Sequence, residues 1–391
     1  MKKIILIALG IILAGILIFV LRLNQFYLKI YTPIFKLIQP AKTDYNILIF
    51  GYGGGTHEGT YLTDTIMLAH IDFKLKKVTL FSIPRDLWVK IPTKSGADFH
   101  MKINALYQLE LGQIGDVSQT YPDLDQSHFG KKDDAEFTKY IVSQTFGLAV
   151  DNYVAIDFAG FKKAIDTLGG VDINVDKFFE DKEYPIEGKE IDLCGKDEQF
   201  KKIESFLKPG FNPEDKIKLF KTDSSLEEFL KNATESPELA FPCRYETIKF
   251  NKGLTHMDGE MALKYARSRH SETNGGDFNR AKRQQQILEA VKDKVLSLGF
   301  VPKIIPLLDQ FQNHIKTDIS LDDMKKFVSQ ANKANEYKLN SFVFTDKNYL
   351  TDSVSEDGQY ILIPEKGIDQ WNGIQTAVKN IIATSSGKLK E

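Results

Sequence analysis

Between Tyr265 and Gln286 the sequence reads YARSRHSETNGGDFNRAKRQQQ, placing Arg267, Arg269, Arg280 and Arg283 in one short stretch. A guanidinium is a planar fork that engages two phosphate oxygens at once, which a lysine point charge does less well. Four forks around a Gly-Gly turn and a helix start point to one polyanionic ligand; a solvated helical face laced with ion pairs is the ordinary alternative. The formal net charge of the whole chain is only -2, so the cationic excess is local. Three further segments end an apolar run on a charge: Asp64 in LTDTIM (62–67), Arg85 in SIPRDLW (82–88) and Lys102 in KINALY (102–107). Each alone is better read as a satisfied surface charge or loop ion pair. Together, one acid, Arg85, Lys102 and the arginine cluster are the set for a metal-bound pyrophosphate. A carboxylate and phosphate oxygens hold Mg2+, while guanidiniums neutralise charge developing at phosphorus.

The elements that must position these groups follow from periodicity. YNILIFG (45–51) reads as a buried strand, and TIMLAHID (65–72) and KVTLFSIP (77–84) as an antiparallel hairpin closed at FKLKK. WVKIP continues as extended chain, and a helix from Asp133 stops at Gly147. NYVAID, FAGFKKAIDTLGG and VDINV read as a β-α-β unit. Residues 177–250 break the rhythm and are expected to be an insertion with one or two helices near 225–233. Thr255 to Asp258 resembles a capping box for the helix GEMALKYARSR, and Asp277 opens the next helix. On that helix Arg280, Arg283 and Gln284 share the N-terminal turn, where the helix dipole favours an anion. Ile287, Leu288, Val291 and Val295 form its apolar stripe. Helices near 302–314 and 320–334, the latter capped by Ser320, precede a strand at 338–344 and a polar tail. The pattern is that of an α/β or α+β protein with a mixed sheet.

Several function classes are excluded or disfavoured. The loop GYGGGTHEG (51–59) lacks the Lys-Ser/Thr of a Walker phosphate loop, and Thr56 stands where a dinucleotide fingerprint needs glycine. It reads as a loop over a site. Cys194 and Cys243 have no accompanying CxxC or HxxxH and make no zinc site; they are either one disulfide or two thiols. A near-neutral chain without a basic recognition helix disfavours a DNA-binding regulator. Lys2 and Lys3 precede an uncharged apolar run from Ile4 to Leu21, long enough to cross a bilayer core of roughly 30 Å. A cleaved signal peptide would have a shorter apolar region and a small-residue cleavage site, so a retained anchor is favoured over it and over a buried helix. The flanking lysines hold the N-terminus in the cytoplasm and the rest outside.

TDTIM, SIPRD, KINALY, DGEMALKYARSR and DFNRAKRQQQ, in that order and spacing across about 45–300, resemble the LytR-CpsA-Psr family. The resemblance implies an α/β/α sandwich around a mixed β-sheet, preceded by one transmembrane helix, with a channel for a lipid tail. It also implies a Mg2+-dependent transfer of a glycopolymer from a polyprenyl-pyrophosphate carrier to peptidoglycan or another envelope acceptor, outside the cell membrane. Asp64 matches the metal-binding aspartate, Arg85 a pyrophosphate-contacting arginine and Lys102 a further head-group contact. Arg267 and Arg269 match the paired R-x-R, and Arg280 and Gln284 the polar face of the next helix. Asp277 matches an acid that orients an arginine, and Arg283 also falls in the motif. Two positions depart from the pattern: Gly53 stands where many members carry an aspartate, and Leu62-Thr63 where many carry Arg-Ser. Glu58 is a candidate substitute for the absent acid.

These readings divide the chain into an anchor (1–23), a juxtamembrane stalk (24–43), a catalytic domain (44–300, with the 177–250 insertion) and a C-terminal extension (301–391). The expected protein is a membrane-anchored, extracytoplasmic glycopolymer phosphotransferase with Arg85, Arg267, Arg269 and Arg280 at the reacting phosphates. Lys102, Arg283, Gln284 and Asp277 support substrate and Asp64 holds Mg2+, with pyrophosphatase activity when water replaces the acceptor. The competing expectation is a non-enzymatic module that binds a polyprenyl phosphate or senses the envelope. No nucleic-acid partner is expected.

Overall fold

The computed structural model describes residues 42–384 apart from 56–59, 114–115, 131–134, 208–212, 298–312 and 332–335. The apolar run 4–21, nearly all of the stalk, Glu58 and most of the helix expected near 302–314 lie outside the described residues. Among the described residues no helix is long and apolar enough to cross a membrane. The chain forms two compact units. One comprises residues up to 173 with 256–266 and 281 onward; the other comprises 174–255 with 267–280.

In the first unit the three apolar runs become β1 (Asp44–Tyr52), β2 (Thr63–Asp72) and β3 (Lys77–Ser82), a continuous antiparallel meander. The turn between β2 and β3 is chemically specified: Asp72 Oδ1 accepts the amides of Lys74 and Leu75, both at 2.8 Å. Short strands β4 (Trp88–Lys90) and β5 (His100–Lys102) pair with each other. β6 (Asn152–Asp157) lies parallel to β1. β7 (Val171–Val175), β8 (Phe179–Pro185), β9 (Tyr245–Phe250) and β10 (Gly253–Met257) follow outside the main sheet. β11 (Ile315–Thr317) and β12 (Lys338–Val343) complete a six-stranded mixed sheet in the order β11-β6-β1-β2-β3-β12. A last hairpin pairs β13 (Leu350–Val354) with β14 (Tyr360–Pro364).

Helices cover both faces of this sheet. Tyr45, Ile47, Ile49 and Ile71 pack against Ile319 and against Met324 and Phe327 of the helix Leu321–Ala331. On the opposite face Phe50 stacks on Tyr107 of the helix Leu106–Glu110, ring centres 5.0 Å apart. The helix Glu136–Phe146 stops at Gly147, whose φ of 64° and 2.9 Å approach of a built Cβ to the Gln375 side chain demand glycine. Its start is held by Glu110, which accepts from Phe137 N at 2.8 Å and from Thr138 N and Oγ1 at 3.1 Å. Burial outweighs these bonds and pushes the Glu110 carboxyl up to about 7.

Two expectations need correction. VDINV does not return to the sheet of NYVAID: β7 pairs with β10, so no β-α-β unit forms. Thr255 lies in β10, and the helix Gly259–Arg267 is capped instead by Asp258, whose Oδ1 accepts Met261 N at 2.8 Å. Residues 301–391, expected as an extension packed on or beside the core, supply β11 and β12, the two edges of the central sheet. Regular structure continues past β12. The helix Asn372–Ala383 closes the described chain, and Lys77 donates to the carbonyls of Ile381, Ile382 and Thr384 at 3.0, 2.8 and 2.6 Å.

The second unit is more ordered than the expected insertion. β8 and β9 pair antiparallel, with Phe179 stacked on Phe250 at 5.0 Å. Helices Asp197–Ile203, Pro213–Thr222 and Ser225–Glu235 accompany them. Ile203, Leu226, Phe229, Leu230, Ala240 and Phe241 form its own small core. Cys194 and Cys243 are joined in a disulfide across 49 residues.

A cross-link of that span removes about 4 kcal/mol of unfolded-chain entropy in the loop model. Reduction, or C194S, is therefore expected to lower the stability of this unit by roughly 2–5 kcal/mol, read as earlier amide exchange of its core residues. Glu110 makes a separate prediction. The folded state holds its proton to about pH 7 and the unfolded state only to near 4.5, so this carboxyl weakens folding as pH rises through that window. Above about 7 its contribution is level. In E110Q the difference in urea midpoint between pH 5 and pH 8 should shrink relative to the parent chain; an unchanged difference would rule this group out.

Candidate functional site

The site of the first unit is built at the open end of the β2–β3 hairpin. Met67 is the register partner of Ser82, and three further residues along each chain bring Asp64 opposite Arg85. Arg85 Nη1 donates to Asp64 Oδ1 at 2.7 Å. Pro84 ends β3 and begins the turn in which Leu87 N reaches the Pro84 carbonyl at 3.2 Å, so Arg85 and Asp86 leave the sheet together. Lys102 arrives from the neighbouring ladder, as the partner of Trp88. Its Nζ donates to Asp86 Oδ1 at 2.7 Å, while Asp86 Oδ2 lies 3.4 Å from Arg85 Nε. Thr63 Oγ1 and the Asn104 carbonyl, 3.2 Å apart, tie the KINALY segment to the start of β2.

Asp64, Arg85, Asp86 and Lys102 thus form one continuous chain of opposite charges. Asp86 is its hub and was missed as a site residue, although its place beside Arg85 in SIPRD was the available signal. With a buried Asp86 neutralising Lys102, the two cations face two carboxylates. Nothing described supplies an acid at Gly53 itself. A Cβ there would sit 3.3 Å from the Thr60 carbonyl, and the adjoining Gly54 has φ 74° with a built Cβ 2.9 Å from the Asp157 side chain. Asp157 therefore stands beside this turn, but it caps the following helix through Gly160 N at 2.7 Å and binds His314 at 2.8 Å.

Arg283 and Gln284, in the same unit, tie the helix Asp277–Ser297 to the end of the helix Gly259–Arg267. Arg283 is 2% exposed and donates Nε to the Tyr265 carbonyl at 2.9 Å. Gln284 Nε2 reaches the Ala266 carbonyl at 3.3 Å. The next residue, Gln285, bonds Ser82 at 2.8 Å and so anchors the helix to β3.

Arg267, Arg269, Asp277 and Arg280 belong to the second unit. Here the organising residue is Asp181 of β8, which sequence reasoning did not select. Its Oδ2 accepts Ser268 Oγ at 2.7 Å, Arg269 N at 3.0 Å and His270 N at 3.1 Å, and its Oδ1 accepts Glu183 N at 3.0 Å. Burial opposes the charged form, but these bonds outweigh it and hold the carboxyl below its ordinary range. The backbone between the paired arginines is thereby fixed. Arg267 lies over the Tyr184 ring at 5.7 Å, and Arg280, nearly buried, has Asp277 Oδ1 at 3.3 Å.

The sequence profile of the LytR_cpsA_psr family matches residues 32–377. An Enterococcus faecalis protein named polyisoprenyl-teichoic acid–peptidoglycan teichoic acid transferase TagU is 24% identical over 289 residues, 73% of this chain and 65% of its own. The Bacillus subtilis transferase of the same description, TagV, is 25% identical over 289 residues, 74% of this chain and 53% of its own. The matches thus span between about half and two thirds of these relatives' length. The crystal structure of B. subtilis TagV aligns with a TM-score of 0.52 at 22% identity, covering 87% of this chain and 98% of that one. This likeness is one of fold: a mixed sheet within an α/β protein.

The Asp181 cradle has a measurable consequence. Replacing it with asparagine puts an amide where three donors converge, and should cost about 2–3 kcal/mol. Amide exchange at Arg269 and His270 should accelerate with it. Because the folded pKa is depressed, the Asp181 contribution is present above the unfolded value of 3.8 and is lost as pH falls through the folded value. The stability gap between parent and D181N should therefore close in acid; a gap that persists there would remove the carboxylate from this role.

Proposed function

The chain belongs to the LytR-CpsA-Psr family, and on that premise we propose that it is a membrane-anchored extracytoplasmic phosphotransferase. It moves a glycopolymer from a polyprenyl-pyrophosphate carrier to a cell-wall acceptor such as peptidoglycan. The observation that carries this reading is the Asp64–Arg85 pair at the end of the β2–β3 hairpin. The named activities of the transferase relatives support it. The Cys194–Cys243 disulfide supports an oxidising compartment, and the lysine-flanked apolar run 4–21 supports an anchor with the remainder outside.

Asp64 suits Mg2+, a hard cation that binds one or two carboxylates and keeps its other positions for water and phosphate oxygens. Its side chain is 33% exposed and offers oxygen donors at the edge of the sheet. When bound there, the ion would supply positive charge to the pyrophosphate oxygens. In the reaction, the acceptor hydroxyl oxygen forms a bond to the glycan-side phosphorus. The bridging P–O bond breaks, polyprenyl phosphate leaves, and the hydroxyl proton is lost to solvent. Arg85 presents its fork to the non-bridging oxygens, where charge accumulates. Asp86 and Lys102 hold Arg85 in that orientation, with Lys102 also at the head group. Arg267, Arg269 and Arg280 are assigned further phosphate contacts from the sequence motif, with Asp277 orienting Arg280. Arg283 and Gln284 are assigned to substrate support on the same ground. Water in place of the acceptor would turn the same site into a pyrophosphatase.

The test is turnover of a polyprenyl-pyrophosphate glycan by the full chain with Mg2+, beside a lipid-binding measurement. D64A and R85A should each lower the rate by on the order of 100-fold or more. D64A should retain binding of the carrier lipid. A parent chain that binds the lipid but shows neither transfer nor hydrolysis with Mg2+ would replace this reading with a lipid-holding module.

A further inference from the structure

The first unit contains a cavity of about 340 Å3 that the proposed phosphate chemistry does not use. This lies in the range of roughly 300–1,000 Å3 typical of small-ligand sites. Its walls come from three elements. Lys90 closes β4, Tyr140 and Gln144 lie one turn apart on the helix Glu136–Phe146, and Asp369 and Trp371 precede the helix Asn372–Ala383. Ile141, almost fully buried, adds apolar surface. The two helical walls are fastened together: Gln375 Nε2 donates to the Gln144 carbonyl at 2.9 Å. Asp369, at φ 62°, accepts from His100 Nε2 at 3.1 Å and so joins its wall to the β4–β5 ladder. The His100 ring stacks in turn on Trp88, with an interplanar angle of 11°.

The charged groups of this lining already have partners. Lys90 Nζ pairs with Asp98 at 2.8 Å, and Asp369 faces His100. With Lys90 and Asp369 each already partnered, the lining is not built around a free charge. What it does offer is aromatic surface beside uncommitted hydrogen-bonding groups. One face of Tyr140 is covered by His128 at 3.7 Å, while its hydroxyl, the Trp371 indole N–H and the Gln144 side chain make no hydrogen bond among the described residues. A neutral ligand with apolar C–H faces and hydroxyl or amide edges matches that combination. We propose that this cavity binds an uncharged saccharide segment, stacked against Trp371 and Tyr140 and hydrogen-bonded by Gln144, Lys90 and Asp369.

Its place in the fold links it to the charged chain at Arg85. Trp88 pairs with Lys102 and Lys90 with His100, so the same short ladder delivers Lys102 to Asp86 and, two residues along, Lys90 to the cavity. The inference therefore deepens the transferase reading by giving the glycan a holding place of its own, but it is tested by binding and not by turnover.

Isothermal titration of the full chain in detergent uses three probes. A β-linked N-acetylglucosamine tetramer stands for the acceptor glycan, a sugar pyrophosphate with a shortened lipid for the carrier-borne one, and a free peptidoglycan stem peptide for a peptide ligand. Saturable binding of the tetramer or of the sugar pyrophosphate, weakened tenfold or more by W371A and by Y140A at an unchanged melting temperature, is the expected result. If W371A folds poorly, Y140A alone gives the same reading. R85A should leave tetramer binding unchanged, so loss of transferase activity and loss of this site are separable. The proposal is overturned if neither glycan binds, if binding is indifferent to both aromatic substitutions, or if only the stem peptide binds.

Discussion

The antiparallel register of β2 and β3 is the constraint on which the site of the first unit depends. Asp72 fixes the turn by accepting two amides, and the pairing then runs without slippage to Met67 and Ser82. Because both chains advance by equal steps from there, Asp64 at the start of β2 and Arg85 just past the end of β3 arrive opposite each other. A shift of one residue would turn every side chain of the strand to the other face of a sheet covered on both sides. The burial of Leu68, Phe81 and Ile66 therefore also holds the Asp64–Arg85 contact in place.

The carboxylates that do the positioning are the less conspicuous ones. Asp86 accepts Lys102 and lies against Arg85; Asp181 collects the backbone between Arg267 and Arg269; Asp318, fully buried, receives Lys139 and the amide of Tyr153. A buried charge left alone is costly, so each of these acids is surrounded by donors. Within each unit these carboxylates fix the cationic groups or backbone beside them. For Lys139, burial works to lower the ammonium, but Asp318 and Glu136 raise it above its ordinary value.

The second unit shows how a segment that looks like loop acquires its own stability. Its core is small, and Phe179 on Phe250 with the Phe229–Phe241 pair supplies much of it. A disulfide across 49 residues compensates for the limited apolar surface by restricting the unfolded chain. The helix Ser225–Glu235 falls where the sequence placed one, but Lys, Glu and Pro content hid Asp197–Ile203 and Pro213–Thr222, because propensity alone is a weak signal when the buried face is only a few residues wide.

Much of this protein was legible from its residues. The strands of the meander, the stop at Gly147 and the start at Asp277 follow from period and turn chemistry, which act over a few neighbours. So does the proximity of Asp64 to Arg85, once the hairpin is recognised. The long-range partners did not follow. β11 and β12 joining the sheet, β7 leaving it for β10, and Asp181 reaching the backbone of Arg269 each join positions far apart in the chain. Cys194 and Cys243 could be seen as a possible pair but not as a bond. Local patterns encode which residues are extended or helical; which distant surfaces they bury against is settled only when the whole chain competes for the same core, and that competition placed Asp86, Asp181 and the cavity beside Trp371.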